Sequence, residues 1–84
     1  MRLDKFLKVS RIIKRRTIAN EACDASHVTV NGKPAKASYD VKVNDIIDIR
    51  FGARSLRVRV LEIKDSTRKD DATGMYEVLD DKAI

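Results

Sequence analysis

The sequence predicts an α+β fold in which two short N-terminal helices pack on a small, mostly antiparallel β-sheet. Apolar residues recur first at helical spacing and then, from residue 28 on, at alternate positions, so the period changes from 3.6 to 2. At the change, Asn31-Gly32 follows Val28-Thr29-Val30. Asn-Gly after an alternating strand is the strongest short hairpin signal, because both turn residues need positive φ. With 84 residues, 43% hydrophobic and 37% charged, the chain is one small globular domain with a modest core, not a disordered segment.

The first helix is expected over residues 3–9. Leu3, Phe6, Leu7 and Ser10 stand at i, i+3, i+4 and i+7 and turn inward, while Asp4, Lys8 and Arg11 take the opposite side with Lys5 close by. Ser10 marks its end, and Ile12-Ile13 is an apolar patch in the connection. Thr17 is placed to cap a second helix over 17–25 by accepting from the first-turn N–H groups. Its inward stripe is Ile18, Ala19, Ala22 and Ala25, with Asn20, Glu21 and Asp24 outward.

Strands follow. Pro34 confines its segment to a sheet edge. Ile47, Ile49 and Phe51 alternate with Asp48 and Arg50, which assigns Phe51, like Phe6, to the core. Gly52-Ala53-Arg54 turns the chain, and Leu56, Val58 and Val60 alternate with Arg57 and Arg59. Leu61 and Ile63 continue one position out of phase, which predicts a bulge near Val60-Leu61. Residues 46–63 read as scaffold. Polar residues 65–74 read as a loop or one helical turn, and Met75, Tyr76, Val78 and Leu79 as a last strand. The domain is expected over 1–79, with 80–84 a flexible tail.

Charge is distributed unevenly. Residues 1–16 carry seven cations (Arg2, Lys5, Lys8, Arg11, Lys14, Arg15 and Arg16) against one anion, Asp4, a net of +6; the remaining residues hold 11 cations and 12 anions, a net of −1. A charge run is usually a solvated face, but solubility does not require such polarisation, and the skew points to a polyanionic partner. The cluster Lys14-Arg15-Arg16 is unfavourable for the free chain. It precedes the second helix, where the macrodipole is positive and acids would be stabilising. A helix N-terminus is also an anion site, so an arriving phosphate would remove the cost. Aromatic residues are too few to stack a single strand, and the expected ligand is folded, A-form RNA read by shape and phosphates.

Other classes receive no support. The longest apolar runs are two or three residues, so no span or signal peptide is expected. The lone Cys23 cannot form an internal disulfide, which fits a cytoplasmic location, and neither CxxC nor HxxxH spacing occurs, so no metal or other cofactor is expected. His27 abuts a strand and reads as a strand-end residue, Cys23 as a small packing residue, and no catalytic constellation is present.

The stretch RLDKFLKVSRIIKRRTIANEACDASHVTVNGKPAK closely resembles the S4-type (alpha-L) RNA-binding domain, which would cover about residues 1–50. The later KDDATGMYEVLD resembles the small stand-alone S4 proteins of ribosome-associated quality control in Gram-positive bacteria, relatives of the ribosome-associated heat-shock S4 protein. Two positions depart from the family pattern: Ser26 and Asn44 stand where glycine is usual. The resemblance implies a non-enzymatic, monomeric protein on split, obstructed large ribosomal subunits. It would touch large-subunit rRNA and the peptidyl-site tRNA while a tailing-factor protein extends the stalled chain. Arg16 matches the family's arginine before the second helix. The expected RNA-binding residues are Arg2, Asp4, Lys5, Lys8, Arg11, Lys14, Arg15, Arg16 and Thr17. Asp4 has two readings, an acceptor for RNA or a charge that orients a neighbouring Arg. The rival readings are a general ribosome-associated heat-shock or assembly protein, a structural ribosomal protein, an RNA-modifying enzyme, and a DNA-binding regulator in which the two helices imitate a helix-turn-helix.

Overall fold

The structure is a computed structural model that describes residues 1–64 and 73–83. Helix α1 (Leu3–Val9) and helix α2 (Arg16–Asp24) precede five strands: β1 (Val28–Val30), β2 (Lys33–Pro34), β3 (Ile46–Phe51), β4 (Arg54–Val60) and β5 (Tyr76–Ala83), the last preceded by a 3₁₀ turn at Thr73–Met75. The strands form one antiparallel sheet in the order β2-β1-β3-β4-β5. Pro34 lies on an edge strand, as its missing N–H requires. The expected loop over 65–74 falls mainly outside the described residues.

The core lies between the helices and one face of the sheet. Leu3, Phe6 and Leu7 of α1 are fully buried with Val28, Ile47, Ile49, Val58, Val60 and Met75. Ile49 lies opposite Val28 on one side and Leu56 on the other. From α2 the buried contacts are Ala19 and Cys23, whereas Ile18 is exposed. The stripe is therefore turned relative to the one read from the sequence. The structure also starts α2 at Arg16, not Thr17. Arg15 is the extended N-cap and makes no side-chain cap bond, and its carbonyl accepts from Ala19 N–H at 3.1 Å. This register puts Arg16 in the first turn, within reach of α1.

Both helices end on a left-handed residue that is not glycine. After α1, Arg11 has φ 64° and donates its N–H to Lys8 O, while Ile13 N–H reaches Leu7 O, each at 3.0 Å. After α2, Ser26 has φ 62°; Ser26 N–H bonds Cys23 O at 3.0 Å and His27 N–H bonds Ala22 O at 2.9 Å. This is a Schellman closure, with Ser26 in the conformation its glycine-like position demands. Asn31 (φ 52°) and Gly32 (φ 84°) form the expected hairpin turn, and Asn44 takes φ 76°.

Next to Asn44, the buried Asp45 carboxylate accepts from Lys42 N–H at 2.9 Å, Tyr39 Oη at 2.9 Å and Asn31 Nδ2 at 3.1 Å. Asn31 Oδ1 in turn accepts from Ile46 N–H at 3.0 Å. One acid thus ties the β1–β2 turn to the segment entering β3. Donation to that acid raises the Tyr39 phenol pKa.

Three sheet details differ from expectation. Phe51 is 38% exposed: the β3 alternation runs on to the open end of the hairpin, where Phe51 pairs with Arg54. The register slip lies in the β4–β5 pairing, where Arg57 faces Asp80 and Val58 faces Val78. Leu79 is the extra residue, and β4 simply ends at Val60. β5 continues past residue 79, its expected end, through Ala83, because Asp80 to Ala83 pair with Arg57 to Arg54.

Ile49→Ala is expected to lower stability by about 2–5 kcal/mol, measured by chemical denaturation; an unchanged midpoint would place Ile49 outside the core. Ser26→Gly is expected to raise stability by about 0.5–1 kcal/mol, because glycine relieves the left-handed strain at a small entropic cost. Thermal unfolding reads this as a higher Tm.

Candidate nucleic-acid interface

Backbone pairing between the two ends of the basic motif sets where its side chains stand. Arg2 is the extended N-cap of α1 and forms an antiparallel bridge with Asp40. Leu3 N–H donates to Tyr39 O at 2.8 Å and Asp4 N–H to Ala37 O at 3.2 Å. The first turn of α1 is therefore held against segment 37–41, and Asp4 is directed toward α2.

Asp4 is 2% exposed, which overturns its assignment to the water-facing side of α1. Its carboxylate is a hub. Oδ1 accepts from Lys5 N–H at 2.8 Å and Arg2 Nε at 3.2 Å; Oδ2 accepts from Asn20 Nδ2 at 3.2 Å and pairs with Arg16 Nε at 3.4 Å. Burial alone would raise the Asp4 pKa. The bonds from Asn20, Arg2, Arg16 and the Lys5 backbone outweigh it and hold the carboxyl below its usual value. Asn20 was read as outward-facing, yet it belongs to this cluster. The available signal was its spacing of four from Arg16, which puts both on one side of α2.

The remaining predicted residues lie on α1, on the α1–α2 connection and at the start of α2. Lys8, Arg11, Lys14 and Arg15 are exposed and make no ion pair among the described residues. Arg16 and Thr17, with Asp4, Asn20 and Glu21, line an open depression of ≈ 380 Å³. Lys5 is half-buried on α1. The N-terminus of α2 has no acidic residue in its first turn and no side-chain cap, so its N–H groups remain available to an anion.

The arginines of β4 are arranged differently. Arg54 pairs with Asp81 at 2.6 Å, Arg57 with Asp48 at 2.7 Å and Arg59 with Glu77 at 2.6 Å. These three cations are met by acids across the strands, whereas Lys8, Arg11, Lys14 and Arg15 have no ion-pair partner among the described residues. Cys23 is buried, and burial, with the nearby Asp4 and Asp24 charges, pushes its thiol pKa up to about 11. It is poor in the reactive thiolate at neutral pH. His27 is exposed just before β1.

Two helices on an antiparallel sheet, with a cationic face built on a buried acid, define an S4-type domain, and residues 1–47 match the S4 domain family model. The chain belongs to the S4 domain family and, within it, to the family of the RQC P-site tRNA stabilizing factors. It is 60% identical to the factor of that name from Streptococcus pneumoniae, over 100% of this chain and 96% of the relative. It is 51% identical to the one from Bacillus subtilis, over 100% and 98%. Among solved structures, the trimeric heat shock protein 15 of Vibrio cholerae superposes with a TM-score of 0.87 at 30% identity, covering 93% of this chain and 80% of that one.

Asp4→Asn is expected to lower stability by about 1–3 kcal/mol at neutral pH, since a buried charged acceptor becomes a neutral amide facing two guanidinium groups. The folded carboxyl has a depressed pKa, so the wild-type advantage is present above the unfolded value of about 3.9 and is lost as pH falls through the folded value. Urea melts at pH 7 and through the acid range below the depressed folded value should show the two proteins converging only at the acid end.

Proposed function

We propose that the chain binds large-subunit rRNA and the peptidyl-site tRNA on split, obstructed large ribosomal subunits, without catalysing a reaction. The contact face comprises Arg2, Lys5, Lys8, Arg11, Lys14, Arg15, Arg16 and Thr17. By holding peptidyl-tRNA in place, the protein supports C-terminal tailing of the stalled nascent chain by a tailing-factor protein on the same subunit. It works in the cytoplasm as a monomer.

The observation that carries this reading is the contrast between paired and unpaired cations. Lys8, Arg11, Lys14 and Arg15, exposed without ion pairs among the described residues and leading to an uncapped helix N-terminus, favour a phosphate backbone. The names of the relatives supply the tRNA and its site. Asp4 acts in this reading as a positioning residue, because protein donors occupy both of its oxygens and aim Arg2 and Arg16 outward. A guanidinium fork held in this way suits bidentate contact with phosphate. The DNA-binding alternative is disfavoured by Glu21 and Asp24, which are exposed on α2 and would face a groove lined with phosphates. No helix among the described residues is long and apolar enough to cross a membrane.

Binding should weaken steeply with salt. Neutralisation of about four to six phosphates gives a log–log slope of about −4 to −5, measured by co-sedimentation with large subunits carrying peptidyl-tRNA. A slope near zero would exclude the basic face. Arg16→Ala should greatly weaken that co-sedimentation, with Arg16→Lys intermediate. Because Arg16 also meets Asp4, its removal should cost about 0.5–1.5 kcal/mol of stability instead of relieving repulsion. Full binding by Arg16→Ala would place the site elsewhere.

A further inference from the structure

Phe51 leaves the core at the end of β3 and stands 38% exposed beside the α1–α2 connection. There it lines a cleft of ≈ 330 Å³ with Arg11, Ile12, Leu56 and Tyr76. We propose that this cleft receives one unpaired nucleotide of the bound RNA, with its base against the Phe51 ring and its phosphate on Arg11. The inference rests on the RNA-binding reading above and adds a subsite to it.

Three observations argue for a nucleotide as occupant. First, the walls are aromatic and aliphatic. A ring of this kind stacks any base, since every base presents a π-face, and Ile12 and Leu56 supply apolar contact. Second, the charge at the rim is complementary. Arg11 is exposed and makes no ion pair among the described residues. Asp81 also lines the cleft, but both of its oxygens accept from Arg54, at 2.7 and 2.6 Å. Its charge is thereby compensated, while lone pairs remain for an exocyclic amino group. Third, the cleft is continuous with the basic face, because Arg11 belongs to both. Arg11 also holds φ 64°, a left-handed conformation that L-residues rarely adopt. Strain of this kind gathers at functional positions, and here it sets an arginine at the mouth of the cleft.

The test compares two short RNA duplexes of equal length, one fully paired and one carrying a single extrahelical 2-aminopurine. The bulged duplex should bind about tenfold more tightly, and its fluorescence should be quenched on binding. Phe51→Leu, which keeps an apolar side chain and should keep the fold, should abolish the preference and the quenching; Phe51→Tyr should retain both. Circular dichroism and Tm of each variant monitor folding. Equal binding of the two duplexes without quenching would overturn the subsite and leave the RNA reading intact. So would quenching that survives Phe51→Leu, or a loss confined to association with a protein on the large subunit. Failure of both duplexes to bind at low salt would overturn the RNA reading and the subsite with it.

Discussion

The N-terminal half of the molecule depends on one buried carboxylate. Asp4 loses its hydration when α1 packs, and a lone charge in that position would be prohibitive. Two guanidinium groups, an amide and a backbone N–H replace the lost water. The same contacts fix α1 against α2 and extend Arg2 and Arg16 toward solvent in set directions. They also explain why three cations can crowd the start of α2. Arg16 is compensated by Asp4 while its side chain stays half exposed, and only Lys14 and Arg15 of the cluster stand without an ion pair among the described residues. The acid that would have stabilised the helix N-terminus is present, but it is supplied by the neighbouring helix.

A second acid does comparable work at the other end of the motif. Asp45 closes the loop before β3 by accepting from Tyr39, Asn31 and the Lys42 backbone. Segment 37–41, which precedes that loop, is the one that bridges Arg2 and Leu3. The placement of the basic face is thus a long-range property. It passes from the Asn31-Gly32 turn through Asp45 to the 37–41 segment, and from there to the first turn of α1. In both cases an acid buried with several donors supplies the orientation that apolar packing, being non-directional, cannot.

Much of this was legible in the sequence where a local rule acts alone. The bounds of α1 follow from the spacing of Leu3, Phe6 and Leu7. The hairpin follows from Asn31-Gly32, and the left-handed Ser26 and Asn44 from the glycine expected at their positions. The skew of cations into residues 1–16 was also legible, because charge is read directly from composition. Partnership was not. Asp4 and Asn20 are polar by type, so a pattern of apolar and polar positions sends both to the surface; only their shared hydrogen bonds bring them inside. Phe51 failed for the opposite reason, since alternation records the face of a strand but not where the covering layer stops. The bulge was assigned to β4 because the phase slip there is visible, whereas the extra residue, Leu79, sits in the partner strand. The acids at 80 and 81 read as a tail until Arg57 stands across from Asp80 and Arg54 pairs with Asp81.

The pairing of the β4 arginines has an effect at distances where no contact exists. With Asp81, Asp48 and Glu77 beside them, those arginines contribute little field beyond a Debye length of about 8 Å in physiological salt. With residues 1–16 at a net of +6 and the rest at −1, the excess positive charge is carried by α1 and the α1–α2 connection. Near a polyanion such a body experiences a torque as well as an attraction. That torque turns the helical end toward the polyanion before any surfaces meet. The ion pairs on the sheet, each worth little to folding on a solvated surface, thus govern the angle of approach.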